Sequence, residues 1–109
     1  MSCIYKHDIK YAVYREQDMD DLTGFQRDLL YVIEGADQPS GQDVKEEVEQ
    51  YYSTEVNHGR LYPNLDTIVN KELVEKGQLD HRTNYYEISD AGCDQIQERR
   101  EWEEQYVEL

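Results

Sequence analysis

One stretch limits the folds open to this chain more than any other: residues 57–73, NHGRLYPNLDTIVNKEL, have the pattern of an amphipathic helix. Its apolar residues recur at helical spacing and share one face that must be buried, namely Leu61, Leu65, Ile68 and Leu73. Asn57 is a favourable N-cap, because its side-chain oxygen accepts hydrogen bonds from the free amides of the first turn. Pro63 removes a backbone donor about six residues into the segment, so we expect a loosened or bent first turn.

Two short strands are predicted after this helix. Residues 74–78 and 84–88 have the composition of strands, and residues 79–83 between them have an ordinary length for a hairpin loop. Because Tyr85 and Tyr86 are neighbours on a strand, one is expected in the core and the other exposed. A helix followed by a hairpin with a polar tip is the arrangement of a winged helix.

Two further helices are predicted before residue 57. Thr23, followed three residues later by Gln26, has the spacing of a capping box and opens the first helix. Ser40 and Asp43 have the same spacing and open the second. The residues expected to face inward are Phe25, Leu29, Val32 and Ile33, then Val44, Val48 and one of Tyr51 or Tyr52. The second helix, a short turn and the helix at 57–73 together match helix-turn-helix geometry.

The charge balance opposes simple electrostatic attraction to nucleic acid. The 109 residues include 25 acidic and 11 basic residues, for a net charge of -14. The hydrophobic residues, 38% of the chain, are periodic, so one folded domain is expected rather than disorder. So acidic a surface suits a cytoplasm with molar salt, where charges are screened over roughly 3 Å at 1 M. No apolar run of about 20 residues and no signal-peptide core occur, so we expect a soluble cytoplasmic protein without a membrane partner.

The helix at 57–73 carries a polar stripe opposite its apolar face, made of Arg60, Asn64, Thr67 and Lys71. Such side chains can bond to base edges and phosphates, although an ordinary solvated helix face has the same composition. His81 and Arg82 on the adjoining wing, and the scarcity of acids between residues 57 and 64, favour DNA contact. Asp66 lies on or beside the stripe and would repel phosphate unless a cation such as K⁺ lay between them. Tyr62 is open to two interpretations, packing between helices or reading DNA.

The sequence has no catalytic or metal-binding motif. Cys3 and Cys93 are far apart, and His7, His58 and His81 have no close metal-type partner, so neither a metal nor another cofactor is expected. No nucleophile with its base, phosphate-binding glycine loop or carboxylate pair stands out, so we do not expect an enzyme. A helix dipole could favour the Cys93 thiolate and suit an oxidant sensor, but the surrounding acids make a buried core thiol the better interpretation. Cys3 is interpreted as a bystander.

Three regions follow from these patterns. Residues 1–21 are an N-terminal extension with too many apolar groups for a free tail; we expect a helix that packs on the body or on a second subunit. Residues 22–89 are the winged helix-turn-helix DNA-binding domain. Residues 90–109 are a last helix capped by Ser89 and running toward Val107. This helix is interpreted as a dimerisation helix, through Ile96, Trp102, Tyr106 and Val107.

Two segments resemble the PadR-like winged-helix transcriptional regulators. HGRLYPNLDTIVNKELVEKG is similar to the recognition-helix signature of that family, with Gly59, Arg60, Leu61, Tyr62, Pro63, Leu65, Leu73 and Val74 in the matching places. RTNYYEISDAG is similar to the second wing strand and the following turn, with Arg82, Tyr85, Tyr86, Ile88 and Gly92 in the matching places. The resemblance covers residues 22–92. With its acidity, the chain looks most like haloarchaeal members, among them a regulator of the response to reactive oxygen species.

The resemblance implies a homodimer that binds operator DNA. The implied fold is α+β but mainly α: a winged helix-turn-helix with a two-stranded wing and a C-terminal dimerisation helix. The recognition helix would enter the major groove and the wing tip would lie beside it. The residues assigned to DNA contact are His58, Gly59, Arg60, Tyr62, Asn64, Thr67, Lys71, Lys45, His81, Arg82 and Thr83. The chain departs from the family in its acidity and in a C-terminal helical region that is shorter than usual.

Two functions of different classes fit the sequence. The first is a dimeric transcription factor whose DNA interface holds bound cations, in a high-salt cytoplasm and in an oxidative stress response. The second is an acidic winged-helix protein-interaction module that has lost DNA binding. The position of the basic residues is expected to separate them, because Arg60, Lys71, His81, Arg82 and Lys45 should cluster on one face in the first case and mix with carboxylates in the second. We favour the first.

Overall fold

The structure, a computed structural model, describes residues 21–108. Within that range three helices precede a two-stranded sheet and a fourth helix follows it. The elements are α1 Gly24–Gly35, α2 Gly41–Tyr52, α3 His58–Asn70, β1 Val74–Gln78, β2 Asn84–Ile88 and α4 Asp90–Glu104. This mainly helical α+β arrangement confirms the predicted winged helix-turn-helix. The predicted N-terminal extension, including Cys3 and His7, lies outside the described residues except for Asp21.

The predicted helix starts are confirmed. Each N-cap side chain accepts a hydrogen bond from the backbone N–H three residues on, and the caps are Thr23, Ser40, Asn57 and Ser89. Gln26 and Asp43 complete reciprocal capping boxes, since their side chains accept from the cap residue's own N–H. Local sequence therefore defines where all four described helices begin.

Helix α3 runs without interruption through Pro63. Proline cannot donate to the carbonyl four residues earlier, here that of Gly59. Both residues are exposed, so water can satisfy that carbonyl at little cost. Thr67 Oγ1 also donates to the Pro63 carbonyl at 3.0 Å.

The core lies between α1, α2, α3, the base of the sheet and the first turns of α4. Its buried hydrophobic residues are Leu22, Phe25, Leu29, Leu30, Ile33, Val44, Val48, Val56, Leu61, Leu65, Ile68, Leu73, Val74, Tyr86, Ile88, Cys93 and Ile96. Val32 is half-buried, whereas Leu30, which the predicted stripe omitted, is fully buried. Tyr52 packs against the core and Tyr51 is 82% exposed, which decides between the two.

The wing is an antiparallel hairpin with the predicted strand bounds. Its register places Val74 opposite Ile88 and Gly77 opposite Tyr85. The loop before α2 joins the base of the wing, because Tyr86 N–H donates to the Pro39 carbonyl at 2.9 Å. This bond fixes the wing relative to the start of α2. Of the two neighbouring tyrosines, Tyr86 is buried and Tyr85 is half-buried.

Helix α4 begins in the core and ends in solvent. Cys93 and Ile96 are buried, and the helix ends at Glu104, short of Val107, toward which it was predicted to run; residues 100–108 are all exposed, so burial does not extend the helix there. Cys93 is disulfide-bonded, so the expectation of a free buried thiol is wrong. Burial could be predicted from the apolar spacing, but bonding depends on which residue approaches in space. None of the described helices combines the length and apolar character needed to cross a membrane.

Candidate nucleic-acid interface

The exposed face of helix α3 is rotated around the helix axis relative to the predicted polar stripe. The exposed residues on α3 are His58, Gly59, Arg60, Tyr62, Pro63, Asp66 and Asn70. Asn64, Thr67 and the C-cap residue Lys71 are half-buried. The predicted stripe therefore follows the edge of the exposed face, beside α1, with only Arg60 well exposed.

Arg60 lies on aromatic rings supplied by α1 and α2. Its Cζ is 4.0 Å from the ring centroid of Phe25 and 5.8 Å from that of Tyr52. A guanidinium over an aromatic face is attracted by the ring quadrupole. The Tyr52 hydroxyl donates to Asp28 Oδ2 at 2.6 Å, and burial followed by this bond raises the pKa of Tyr52 to about 12. The aromatic pair thus holds the guanidinium beside the start of α3.

Two other polar side chains of the stripe, Asn64 and Thr67, have partners within the protein. Asn64 Oδ1 accepts from Gln26 Nε2 at 2.8 Å, and Asn64 Nδ2 donates to the Arg60 carbonyl at 2.7 Å. Thr67 donates to the Pro63 carbonyl. Gln26 was expected only to cap α1; no sequence signal marks its contact with a residue 38 positions away.

Tyr62 lies against the start of α2, which supports packing between helices as one of its two interpretations. A Cβ added to Gly41 would lie 2.6 Å from the Tyr62 hydroxyl oxygen, so any larger residue would require the ring to move. The His58 ring meets Tyr62 edge-on, with centroids 5.6 Å apart. A groove of about 460 Å³ separates α2 from the wing; it is lined by Ser40, Gly41, Gln42, Tyr62, Arg82, Thr83, Asn84 and Tyr86. The structure thus brings Tyr62, Arg82 and Thr83 together.

The wing tip carries both signs of charge. His81 and Arg82 are exposed, and Thr83 is half-buried. Asp80 Oδ1 accepts from the backbone N–H of Arg82 at 2.8 Å and of Thr83 at 2.9 Å. The bond from Arg82 N–H is the main cause that lowers the pKa of Asp80. The carboxylate is therefore fixed at the tip beside the arginine.

Two lysines near this surface are paired with carboxylates. Lys45 Nζ lies 2.8 Å from Glu49 Oε2, its side chain is 13% exposed, and this bond is the main cause that raises the pKa of Lys45. Lys76 Nζ lies 3.9 Å from Asp66 Oδ1. That Lys76 faces Asp66 could not be predicted from the sequence, because this contact depends on how β1 leaves α3. Basic residues and carboxylates are therefore interspersed on this side of the molecule.

The residues assigned to dimerisation separate into two groups. Ile96 is buried in the core of the chain. Trp102, Tyr106 and Val107 form an exposed patch beyond the core, with Trp102 50% exposed and its ring centroid 5.2 Å from that of Tyr106. Arg99 Cζ lies 4.9 Å from the Trp102 centroid and covers one side of the ring. Among the described residues, no group of three or more His, Cys, Asp or Glu side chains is arranged to hold a metal.

Comparison with known proteins adds independent findings. Residues 29–98 match the transcriptional regulator PadR-like family. The structure is similar to that of H. salinarum RosR grown from NaBr, with 47% identity, 84% of each chain covered and a TM-score of 0.77. It is similar to the complex structure of hsRosR-SG, with 48% identity, 84% of this chain and 82% of that chain covered and a TM-score of 0.78. It is also similar to the complex structure of hsRosR-S1, with 50% identity, 79% of this chain and 76% of that chain covered and a TM-score of 0.75. No match was found among curated protein sequences.

Proposed function

This chain belongs to the PadR-like family of transcriptional regulators, and from that membership we propose how it engages DNA. It is a DNA-binding transcription regulator, not an enzyme. We infer that it binds a specific operator as a homodimer, with the two α3 helices in major grooves about 34 to 36 Å apart on one DNA face. The observation that carries this proposal is the exposed face of α3 beside the groove that joins Tyr62 to the wing residues Arg82 and Thr83.

The proposed contacts divide by chemistry. Arg60 and Asn64 read base edges, because guanidinium and carboxamide groups can pair with bases in the major groove. Tyr62 and Gly59 are assigned to contacts along the wall of the major groove of DNA. Phosphate contacts are assigned to the remaining predicted residues, namely His58, Thr67, Lys71, Lys45, His81, Arg82 and Thr83. Lys45 contributes least in this proposal, since Glu49 already neutralises it.

The dimer contact is assigned to the exposed patch of Trp102, Tyr106 and Val107. Ile96 is buried in the core, so the proposed contact does not include it. The regulator acts in the cytoplasm, where an archaeal chromosome lies. Its place in an oxidative stress response is inferred from its resemblance to the haloarchaeal regulator of that response.

Cations at the DNA interface complete the proposal. Asp66 and Asp80 lie on the surfaces that would face phosphate, and Lys76 is 3.9 Å from the first. Bound cations such as K⁺ would screen these carboxylates from the phosphates. Ordinary DNA-binding proteins lose affinity steeply with salt because they release counterions. Here cation uptake offsets that release.

We therefore expect the affinity for DNA to change little, or to rise, from low to molar KCl. Fluorescence anisotropy with labelled DNA from upstream of the protein's own gene, and random DNA as competitor, measures this. Selective binding that survives molar KCl supports the proposal. A steep ordinary decline with salt would disprove the role of cations, and no binding at any salt would disprove DNA recognition.

The same titration with Arg60→Ala tests the base contact. Loss of a pairing with guanine costs roughly 1 to 3 kcal/mol of discrimination against random DNA. Arg100→Ala, at an exposed position on α4, removes the same charge outside α3 and the wing and serves as the control. Unchanged operator preference in Arg60→Ala would remove that role from Arg60.

A further inference from the structure

A chain of hydrogen bonds connects the N-cap of α1 to the recognition helix. The Thr23 backbone N–H donates to Gln26 Oε1 at 3.1 Å, and Gln26 Nε2 donates to Asn64 Oδ1 at 2.8 Å. Asn64 Nδ2 then donates to the Arg60 carbonyl at 2.7 Å. In the order Thr23, Gln26, Asn64, Arg60, each residue donates a hydrogen bond to the next.

The two ends of the chain fix its direction. A backbone N–H can only donate and a backbone carbonyl can only accept, whereas each carboxamide has one donating and one accepting end. Turning the Asn64 amide over would place its oxygen against the Arg60 carbonyl and its nitrogen against Gln26 Nε2. Acceptor would then face acceptor at the Arg60 carbonyl, and donor would face donor at Gln26 Nε2. One orientation of each amide therefore satisfies all four groups.

The surroundings strengthen this preference at the Gln26 end. Gln26 is 8% exposed and its bond to Asn64 is partly buried, so water cannot easily replace a lost partner there, whereas the bond from Asn64 to the Arg60 carbonyl is exposed. A mispaired polar group costs more where the local dielectric is low. The neighbour of Gln26 on α1, Phe25, contacts the Arg60 guanidinium. Adjacent residues of α1 thus hold two residues of α3 that are one turn apart.

We propose that Gln26 is a positioning residue for base recognition, which fixes the orientation of the Asn64 carboxamide and so decides which base pair Asn64 accepts. This inference rests on the proposed function. An asparagine pairs with adenine by donating to one atom and accepting from the next. A reversed carboxamide presents the opposite pattern and favours a different base edge. Gln26 acts through Asn64, being too buried to reach DNA itself.

Three variants separate positioning from folding. Gln26→Glu retains an acceptor for the Thr23 N–H and nearly the same shape, but replaces the donor to Asn64 by an acceptor. Asn64→Ala removes the reading group. Thr23→Ala weakens the cap of α1, yet leaves the bond between Gln26 and Asn64 in place. Each protein is used to enrich duplexes from a pool with a randomised centre in molar KCl, followed by sequencing, and its thermal unfolding is measured in parallel.

We expect Asn64→Ala to erase base preference at one position of each half-site. Gln26→Glu should change the enrichment ratio between the bases at that same position by about 5- to 150-fold, while the base preferences at the other positions stay the same. Adding Gln26→Glu to Asn64→Ala should change nothing further in the enriched sequence. Thr23→Ala should unfold at a lower temperature and enrich the wild-type sequence.

Gln26→Met keeps the shape without either polar group and serves if Gln26→Glu does not fold; it should relax preference at that one position. The inference is overturned if the Gln26 variants enrich the wild-type sequence, or if they lose preference equally at every position. It is also overturned if Asn64→Ala keeps the full base preference of a selective wild type. In that case the proposed function as a DNA-binding regulator is unaffected. If the wild type enriches no sequence at any KCl concentration, the proposed function itself fails.

Discussion

Gly92 is the residue at which α4 passes closest to the rest of the fold. A Cβ there would overlap the Leu73 carbonyl oxygen and lie 2.7 Å from Ile88 Cγ1. That carbonyl cannot move freely, because it accepts from the Ser89 N–H at 3.0 Å. The small size of Gly92, rather than any unusual backbone angle, lets α4 start directly beneath the wing.

Replacing Gly92 by alanine should therefore lower the free energy of unfolding by roughly 1 to 3 kcal/mol, because buried backbone must shift. Urea unfolding followed by circular dichroism measures the loss. Gly24→Ala is the matched control, since a Cβ there meets nothing within 4 Å and alanine favours the helix by up to about 1 kcal/mol. Equal stability of the two variants would contradict the predicted close contact.

Tyr86 gives the fold a dependence on alkaline pH. It is 1% exposed, and burial, aided by the carboxylate of Asp66, raises its pKa from 10.0 to about 12. The unfolded chain thus releases this proton first. Below pH 10 the tyrosine adds no pH dependence, and as pH rises from 10 toward 12 the folded state loses stability on the order of 2 to 3 kcal/mol from this group. In Tyr86→Phe the decline in urea stability over this pH range should be shallower by that amount; an identical slope would show that the phenol does not control it.

At the level of helices and strands, local chemistry makes the sequence informative. Side-chain caps act over three residues, so Thr23, Ser40, Asn57 and Ser89 located the helix starts without tertiary information. The strand bounds were predicted equally well. The end of α4 was not, because exposed apolar residues such as Val107 extend a periodic pattern without anything to pack against.

The contacts of the site residues were harder to predict than their identities. The sequence indicated α3 and the wing, but placed Arg60 and Asn64 on a free polar face. In the fold, Phe25 and Gln26 hold both residues, through contacts that exist only after α1 packs on α3. Such contacts leave no periodic trace in the sequence.

The wing itself is electrostatically strained at low salt. Glu75 and Glu87 are directly opposite each other on its exposed side, and like charges in that position repel. Glu87→Lys should raise the free energy of unfolding by roughly 0.2 to 1 kcal/mol in dilute buffer. The gain should disappear near 1 M KCl, where screening acts over roughly 3 Å.

Asp37→Lys makes the same change of charge in the exposed loop before α2 and corrects for the net charge of -14. Thermal unfolding of both variants across KCl concentrations tests the idea. A gain for Glu87→Lys no larger than that of Asp37→Lys would assign the effect to total charge instead.

For the molecule as a whole, the position of charge was a poor guide to function. Basic residues are mixed with carboxylates at Lys45, Lys76 and Arg82, the arrangement expected of an acidic interaction module. Family membership nevertheless identifies a DNA-binding regulator. In molar salt, mobile cations can supply the positive charge that basic side chains provide in dilute cytoplasm.

Self-association is the property of the whole molecule that the exposed patch of Trp102, Tyr106 and Val107 should control. Trp102→Ala is expected to weaken the proposed homodimer roughly thirty-fold or more, as loss of a central interface tryptophan does. Sedimentation velocity over a range of protein concentrations measures this. Tyr51→Ala removes an aromatic side chain that is even more exposed, at 82%, but lies on α2 and should leave the dimer unchanged. Equal effects of the two variants would remove the dimer contact from α4.

The contact between Gly41 and Tyr62 has a counterpart in the wing, where a Cβ at Gly77 would lie 2.5 Å from the Tyr85 ring. In each pair, one residue is small because the other is large. A larger residue at either glycine would force the tyrosine ring aside, so we expect the members of each pair to covary among homologues. Two of the ten tyrosines in this chain thus each take their place against a glycine, one on a different helix and one on the facing strand.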